Sequence, residues 1–308
     1  MGAFLHRLHG HGHQLALWQD PGGGLMKRAR RGFLMRFALL SVLGMLISMP
    51  FFWMLSSSFK PRVEAENADI LPEQPTVQNY PVVLDLKPDP STRRFLGMRY
   101  GRWYFNTFFV AVGITFLQVL TSSMAAYAFS RMRWRGRDTV FILYLSTMMI
   151  PGVVTMIPNF QVMVWLGFVN TYHGLIIPAA FSAFGTFLLR QFMLSVPPAL
   201  DEAAQIDGAS HWQIFWEVIM PLARPGLIAL AILTFLGSYQ SFFWPLVMLN
   251  SQDLFSMPLG LLTLDSSYGR QTEMIMAAAA MATAPLIVIF VIFQKFVVKG
   301  LQLGGVKG

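Results

Sequence analysis

Long uncharged stretches dominate the chain and are separated by short charged segments. Five of them contain no Asp, Glu, Lys or Arg and cover residues 37–59, 103–130, 139–189, 225–252 and 274–294. Each reaches the length of about 20 residues with which an α-helix crosses about 30 Å of hydrocarbon. The third is long enough for two crossings, and Pro151, Pro158, Asn159 and the segment 167–174 interrupt it. The pattern predicts an all-α integral membrane protein with six transmembrane helices.

The six predicted helices divide the chain into segments on alternating sides of the membrane. They cover residues 37–59, 103–130, 140–156, 174–189, 227–248 and 274–293. The resulting transmembrane domain, 37–299, lies between an N-terminal tail, 1–36, and a C-terminal tail, 300–308. The helices are joined by three longer segments, which are an external segment at 60–102, a cytoplasmic loop at 190–224 and an external loop at 250–273.

Basic residues indicate which segments face the cytoplasm. They precede the first stretch at 27–36, fill the turn at 131–137 and follow the last stretch at 295–307. Cytoplasmic segments carry an excess of Lys and Arg, and an even number of crossings puts both ends on one side. We therefore predict that both termini of this multi-pass membrane protein are cytoplasmic. The external segment 60–102 is close to neutral, with seven basic and six acidic residues.

The composition also favours lipid surroundings, since 55% of the residues are hydrophobic and only 12% are charged. The net charge of +8 comes mostly from the orientation signals, and no basic patch adjoins a soluble fold, so no nucleic-acid partner is predicted. The absence of cysteine excludes disulfides and thiolate chemistry. Met26 is an alternative translation start. The N-terminal tail contains four histidines among glycines, which are His6, His9, His11 and His13. No metal site is predicted there, because metal binding by such a tail is typically adventitious.

The cytoplasmic loop contains two predicted short helices, and the first of them follows Pro198. Proline suits a first helical turn, and the acidic side chains of Asp201 and Glu202 favour the positive N-terminal end of a helix. Gly208 can adopt the left-handed conformation that stops a helix. These residues predict a short helix that ends near Gly208.

The second predicted helix begins with a capping box of Ser210 and Gln213 and ends at Pro221. It carries more apolar side chains than a hairpin in water should expose, namely Trp212, Ile214, Phe215, Trp216 and Val218. These side chains could dock onto a partner, or they could lie against the protein's own helix ends or the lipid headgroups. The residues alone leave both interpretations open.

Seven positions of the loop form a spaced motif. They are Glu202, Ala203, Ala204, Gly208, Val218, Met220 and Pro221. The motif resembles the EAA loop of permease subunits of binding-protein-dependent ABC (ATP-binding cassette) importers. That pattern reads Glu-Ala-Ala, three residues, Gly, nine residues, Ile, one residue, Leu, Pro. Val218 takes the place of the Ile and Met220 that of the Leu, which are conservative apolar replacements.

Three further segments, 183–192, 235–245 and 299–308, resemble the sugar-importing branch of this family, especially the second permease of maltose-type systems. The resemblance implies a type I ABC importer permease fold that translocates a sugar or sugar-like solute delivered by an external solute-binding protein. It also implies a location in the bacterial cytoplasmic (inner) membrane, a second permease subunit, which forms a heterodimer with this chain, and an ATPase dimer. The external loop 250–273 would reach into the binding protein.

The resemblance also implies roles for individual residues. The loop would dock into the ATPase through Glu202, Ala203, Ala204, Gly208, Trp212, Phe215, Val218, Met220 and Pro221. The C-terminal tail would reach the ATPase dimer through Gly304, Gly305 and Lys307. No Gly-x-x-x-x-Gly-Lys-Ser/Thr phosphate loop occurs in the chain. We therefore expect no enzymatic activity and no cofactor in this chain, with ATP and Mg on the partner ATPase.

Polar residues at membrane depth are candidates for lining the solute pathway. They are Asn106, Ser238, Tyr239, Gln240 and Ser241. The alternative role for each is a hydrogen bond between helices, which contributes about 0.5 to 1 kcal/mol. A secondary transporter, or another multi-pass protein without an ATPase, is the competing functional class, although the uncharged stretches lack the buried ionisable groups that ion coupling often uses. The sequence leaves the identity of the solute open.

Overall fold

The computed structural model describes residues 24–67, 69–90, 93, 95, 97–267 and 271–305. The histidine-rich N-terminal segment and Lys307 lie outside these residues. The described part of the chain is all-helical and consists of α-helices with short 3₁₀ or π-helical turns. The α-helices are α1 Gly24–Ser57, α2 Asn79–Val83, α3 Tyr100–Ser130, α4 Arg137–Ser146, α5 Gly152–Trp165, α6 Tyr172–Ile176, α7 Ala183–Leu194, α8 Ala199–Ile206, α9 His211–Gln213, α10 Met220–Leu222, α11 Arg224–Tyr239, α12 Phe243–Met248, α13 Met257–Ser267 and α14 Thr272–Gly305.

Three helices are continuous and apolar over a length that can cross a membrane, within Phe33–Ser57, Tyr100–Ser130 and Thr272–Gln294. Three further spans are available if each of three bent helix pairs counts as one crossing. These pairs are Arg137–Met149 with Gly152–Trp165, Tyr172–Ala180 with Ala183–Leu194, and His211–Leu222 with Arg224–Tyr239. The described residues therefore contain three to six candidate spans.

The third predicted span, 140–156, is wrong as a single helix. The chain bends by 100° between Arg137–Met149 and Gly152–Trp165. Ile150, which precedes Pro151, adopts an extended conformation with ψ 118°, as expected because proline disfavours helical geometry in the residue before it. Pro158, expected to interrupt this region, lies inside α5 instead.

The fifth predicted span, 227–248, also contains a break. Helix α11 ends at Tyr239, and α12 begins only at Phe243. Pro245 explains this break, since a proline inside a helix lacks the N–H for the carbonyl four residues earlier and its ring clashes with that carbonyl. Pro245 lies in the first turn of α12, where no helical carbonyl precedes it by four residues, so neither cost arises.

The described chain forms two units, one within residues 24–54 and the other within residues 55–305. In the second unit, α3 packs against α7 and α11. Glycines bring these helices together, as a Cβ atom at Gly185 would lie 2.6 Å from Ser122 Oγ, and one at Gly226 would lie 2.6 Å from the Phe192 ring. Small residues let helix backbones approach closely within a membrane, where packing and hydrogen bonds replace the hydrophobic drive.

The predicted external loop 250–273 is largely helical. It contains a 3₁₀ turn, Gln252–Leu254, and the eleven-residue helix α13. Helix α13 packs on α3, where a Cβ atom at Gly260 would lie 2.2 Å from the Trp103 ring. The segment is therefore an ordered cover over one end of α3.

Candidate functional site

The first loop helix, α8, forms as the sequence predicts. Pro198 precedes it, and Asp201 and Glu202 occupy its first turn. Gly208 has φ +83°, in the left-handed region that favours glycine. No atom lies within 4 Å of a Cβ built at Gly208, so the backbone conformation, and not close packing, calls for glycine there.

The second loop helix begins at the predicted capping box. Ser210 N donates to Gln213 Oε1 at 2.9 Å, and Gln213 N donates to Ser210 Oγ at 3.3 Å. The helix widens into a π turn over Ile214–Ile219 and continues to Leu222, so the prediction that it ends at Pro221 is wrong by one residue. Because Pro221 has no N–H to donate, a local change in the hydrogen-bond pattern before it is expected.

The apolar side chains of the second helix divide between two faces. Ile214, Phe215 and Ile219, here called the loop base, are buried against α3 and α7. The ring of Phe215 is 2% exposed and lies 5.3 Å from that of Tyr127 in α3. The expectation that Phe215 fills a partner's cleft is therefore corrected, because its side chain is already inside the protein.

The opposite side of the loop, here called the outer face, consists of exposed residues. Trp212 is 58% exposed and Ile206 is 86% exposed. The remaining members of the outer face are Leu200, Glu202, Ala203 and Trp216. The other motif residues lie between the two faces, and Ala204, Val218 and Met220 pack against the loop base while Pro221 is half-buried. Packing against the protein's own helices is therefore confirmed for the loop base, and docking onto a partner stays a prediction for the exposed outer face.

An ion pair that the sequence analysis missed ties α8 to the end of α3. Arg131 Nη1 lies 2.9 Å from Asp201 Oδ2, with the two side chains only 7% and 14% exposed. Arg131 Nη2 also donates to the backbone carbonyls of Val196, at 2.8 Å, and Met193. Burial raises the pKa of the Asp201 carboxyl, and the Arg131 charge opposes this shift. From the sequence alone, Arg131 is interpreted only as part of the signal for membrane orientation, and Asp201 only as a charge at the N-terminal end of a helix.

The polar residues at the end of α11 and just after it have two different surroundings. Ser238 and Ser241 line an open cleft of about 280 Å³ together with Asn159, Leu175 and Trp244. A smaller cavity of about 30 Å³ shares both serines and Trp244. The cleft combines two hydroxyl groups and one amide with an indole ring, and the rest of its lining is apolar, namely Ile114, Leu175, Pro178, Ala179 and Gly237.

Three other predicted lining residues do not reach this cleft. Asn106 is buried and donates from Nδ2 to the carbonyls of Asp253, at 2.7 Å, and Phe255, at 3.1 Å. Tyr239 is also buried, and its hydroxyl donates to the Ala282 carbonyl at 3.1 Å. The assignment of these two to a pore is corrected, since both hold helices or segments together. Gln240 has an exposed side chain and does not line the cleft.

The C-terminal tail is helical as far as the structure describes it. The backbone of α14 continues through Gly304 and Gly305. Among the described residues, no group of three or more His, Cys, Asp or Glu side chains is arranged to hold a metal ion.

Comparisons with known proteins identify the family. Residues 118–302 match the family described as binding-protein-dependent transport system inner membrane component. The chain is 35% identical to the arabinooligosaccharides transport system permease protein AraQ of Bacillus subtilis over 87% of this chain and 93% of that protein. It is 40% identical to AraQ of Halalkalibacterium halodurans over 68% of this chain and 75% of that protein.

A solved structure supports the same conclusion. A chain of a bacterial ABC transporter involved in the import of the acidic polysaccharide alginate superposes with a TM-score of 0.74 at 25% identity. The superposition covers 86% of this chain and 96% of that one. The chain therefore belongs to the binding-protein-dependent transport system inner membrane components and is a permease subunit of an ABC importer.

Proposed function

We propose that this permease carries a sugar or sugar-like solute, delivered by an external binding protein, across the bacterial inner membrane when a partner ATPase dimer hydrolyses ATP. The observation that carries the proposal is the two-sided cytoplasmic loop, which has an exposed outer face and a base packed against α3 and α7. A force applied to the outer face would move the helices to which the base is bound. The chain itself would hydrolyse nothing and hold no cofactor, with ATP and Mg bound by the ATPase.

The outer face has the properties of a docking surface for the ATPase. Glu202 supplies an exposed charge on the same loop as the exposed aromatic rings of Trp212 and Trp216, whose centroids are 5.7 Å apart. Charged and aromatic groups together are typical of binding hot spots and their rims. In this proposal Glu202 anchors the contact, Gly208 sets the turn between the two loop helices, and Gly304, Gly305 and Lys307 of the tail add a second contact.

The proposed topology has six spans, with both termini and the loop 190–224 in the cytoplasm. The spans beyond the three continuous helices would come from the three bent helix pairs. Of the third pair only Arg224–Tyr239 would enter the membrane, because His211–Leu222 belongs to the cytoplasmic loop. The basic segments at 27–36 and 131–137 support the orientation. On the external side, helix α13 covers the end of α3 and would be the contact with the binding protein.

For the solute, the relatives and the cleft support the same class. Two of the similar permeases carry names of arabinooligosaccharide systems, while others carry names of galactooligosaccharide and sn-glycerol-3-phosphate systems. In the cleft, Ser238, Ser241 and Asn159 provide hydrogen-bonding groups, while Trp244 provides an apolar ring. Sugars combine hydroxyl groups with apolar faces, so this lining suits an oligosaccharide. A second permease would complete the pathway from the other side of a heterodimer.

Reconstitution of the complete importer into proteoliposomes tests this proposal. We expect uptake of labelled arabinooligosaccharides only when the binding protein is outside and ATP is inside. Omission of either component is the matched control and should reduce uptake to background. Uptake driven by a proton or sodium gradient without ATP would instead support a secondary transporter and would overturn the proposal.

A further inference from the structure

The turn between α3 and α4 encloses an open cavity that the transport mechanism does not use. Its volume is about 470 Å³, and it is lined by Arg133, Trp134, Gly136, Arg137, Asp138 and Thr139. The cavity lies where two apolar helices end, α3 at Ser130 and α4 at Arg137. In a membrane, this is the level of the lipid headgroups.

The cavity has an excess of positive charge. Arg133, which lines it, and Arg135, two residues further along, are exposed, and neither has a hydrogen-bond or ion-pair partner in the described part of the chain. Among the described residues that line the cavity, Asp138 is the one acidic group, and Arg137 Nε lies 2.9 Å and Arg190 Nη2 3.9 Å from its Oδ1 atom. The local negative charge is therefore compensated, and the two free guanidinium groups remain available to an anion.

The surfaces beside the cavity are apolar. On α4, the side chains of Ile142 and Leu143 are 66% and 63% exposed. At the cavity itself, the Trp134 ring lies 5.9 Å from that of Phe129 and is partly exposed. Tryptophan is enriched at the level of membrane headgroups, where one end of its ring is apolar and the other can bind water. An anion that binds here thus has hydrocarbon-compatible protein surface directly beside it.

We propose that this cavity binds the headgroup of an anionic phospholipid, with the acyl chains along the exposed face of α4. The phosphate would accept hydrogen bonds from the guanidinium group of Arg133, with Arg135 adding attraction at longer range. Arginine suits this role because its planar group can donate two parallel hydrogen bonds to a phosphate. Basic pockets on the cytoplasmic side of membrane helices bind anionic headgroups in this way. The inference needs only the membrane placement of the turn, not the proposed solute or ATPase coupling.

Native mass spectrometry of the full-length chain in detergent, with added phosphatidylglycerol or phosphatidylcholine, tests the proposal. We expect phosphatidylglycerol to bind more tightly than phosphatidylcholine. The double variant Arg133→Gln/Arg135→Gln should bind phosphatidylglycerol roughly 20- to 30-fold more weakly, since each basic residue near an anionic membrane contributes about fivefold. Arg224→Gln removes another exposed arginine outside the cavity and should leave the affinity unchanged.

A second measurement covers the case in which the double variant fails to fold. A phosphatidylglycerol with a photoreactive acyl chain should label residues 140–143 of the unaltered chain, and excess phosphatidylglycerol should prevent the labelling. Four results would overturn the proposal. They are equal binding of the two lipids, unchanged binding by the double variant, displacement of the lipid by millimolar inorganic phosphate, and loss of ATPase assembly by the double variant with lipid binding intact.

Discussion

Gly208 adopts a backbone conformation that favours glycine, and a substitution that adds a single methyl group tests this requirement. Its φ of +83° strains any L-residue, by about 1 to 2 kcal/mol, while the space around its Cβ position is open. We expect Gly208→Ala to lower transport by the assembled importer, because the two loop helices change their relative direction. Gly167→Ala, at φ +70° and also in open space, should cost similar stability without a loss of transport. Uptake per complex and thermal unfolding measure the two effects, and equal transport loss in both variants would contradict the assignment.

The pair Arg131 and Asp201 should respond asymmetrically to substitution. Arg131→Met leaves a buried carboxylate without a counterion and two carbonyls without a donor, so we expect a loss of about 3 to 5 kcal/mol in unfolding free energy. Asp201→Asn should cost much less, because Arg131 keeps its bonds to the carbonyls of Met193 and Val196. The double variant should recover part of the loss of Arg131→Met. Denaturation in detergent measures all three, and similar losses for both single variants would contradict this account.

The same carboxyl predicts a pH effect. Burial raises the pKa of Asp201 above its unfolded value despite Arg131, so the folded chain binds this proton more tightly than the unfolded chain. The resulting stability is fully present below the unfolded pKa and is lost as the pH rises through the folded pKa. We therefore expect the unaltered chain to gain stability relative to Asp201→Asn on acidification through that window. A stability difference that stays constant with pH would show that the pKa is not raised.

Local chemistry explains which residues of the site could be predicted. The capping box and Gly208 depend on neighbours within a few residues, and the sequence therefore predicts them correctly. Phe215 belongs to the same class of side chain as Trp212 and Trp216, and only contact with α3 decides that it is buried. Its spacing to Ile219 gave a usable signal, since residues four apart share one helix face.

At the scale of the elements, long uncharged stretches predicted the membrane helices but not their bends. The absence of charge indicates which stretches can enter lipid, but it contains no information about the direction of the backbone. Pro151 and Pro158 illustrate the difficulty, since the first coincides with a 100° bend and the second lies within a helix. The helix can omit one hydrogen bond at Pro158, so proline by itself does not determine a break.

The close contact of α3 with α7 gives a prediction about packing. A side chain at Gly185 would collide with Ser122 in α3, which is fully buried. We expect Gly185→Leu to separate the two helices and to lower the yield of folded protein or its melting temperature. Gly101→Ala is the matched control inside α3, where nothing lies within 4 Å of the added methyl group. It should be neutral or stabilise by about 0.5 to 1 kcal/mol, and a harmless Gly185→Leu would refute the tight contact.

At the scale of the whole molecule, the loop and the cleft lie on different helix segments and should fail in different ways. Trp212 belongs to the outer face, whereas Ser241 lines the cleft after the end of α11. The loop is joined to α3 and α7 through its base, and no residue of the outer face lines the cleft. If the outer face receives motion from the ATPase and the cleft contacts the solute, as proposed, the two roles belong to separate surfaces of the described structure.

Two substitutions test this separation in the reconstituted importer. Trp212→Glu replaces an exposed apolar ring with a charge, so we expect it to weaken ATPase binding and abolish both uptake and the ATPase activity that the binding protein stimulates. Ser241→Phe places a ring in a cleft of about 280 Å³ and should reduce uptake at least tenfold while stimulated ATPase activity persists. Tyr239→Phe removes one buried hydroxyl and should change uptake little, as its bond to Ala282 lies outside the cleft. If Ser241→Phe abolished ATPase stimulation as completely as Trp212→Glu, solute passage and coupling would share one site, and the division of roles proposed for this chain would be wrong.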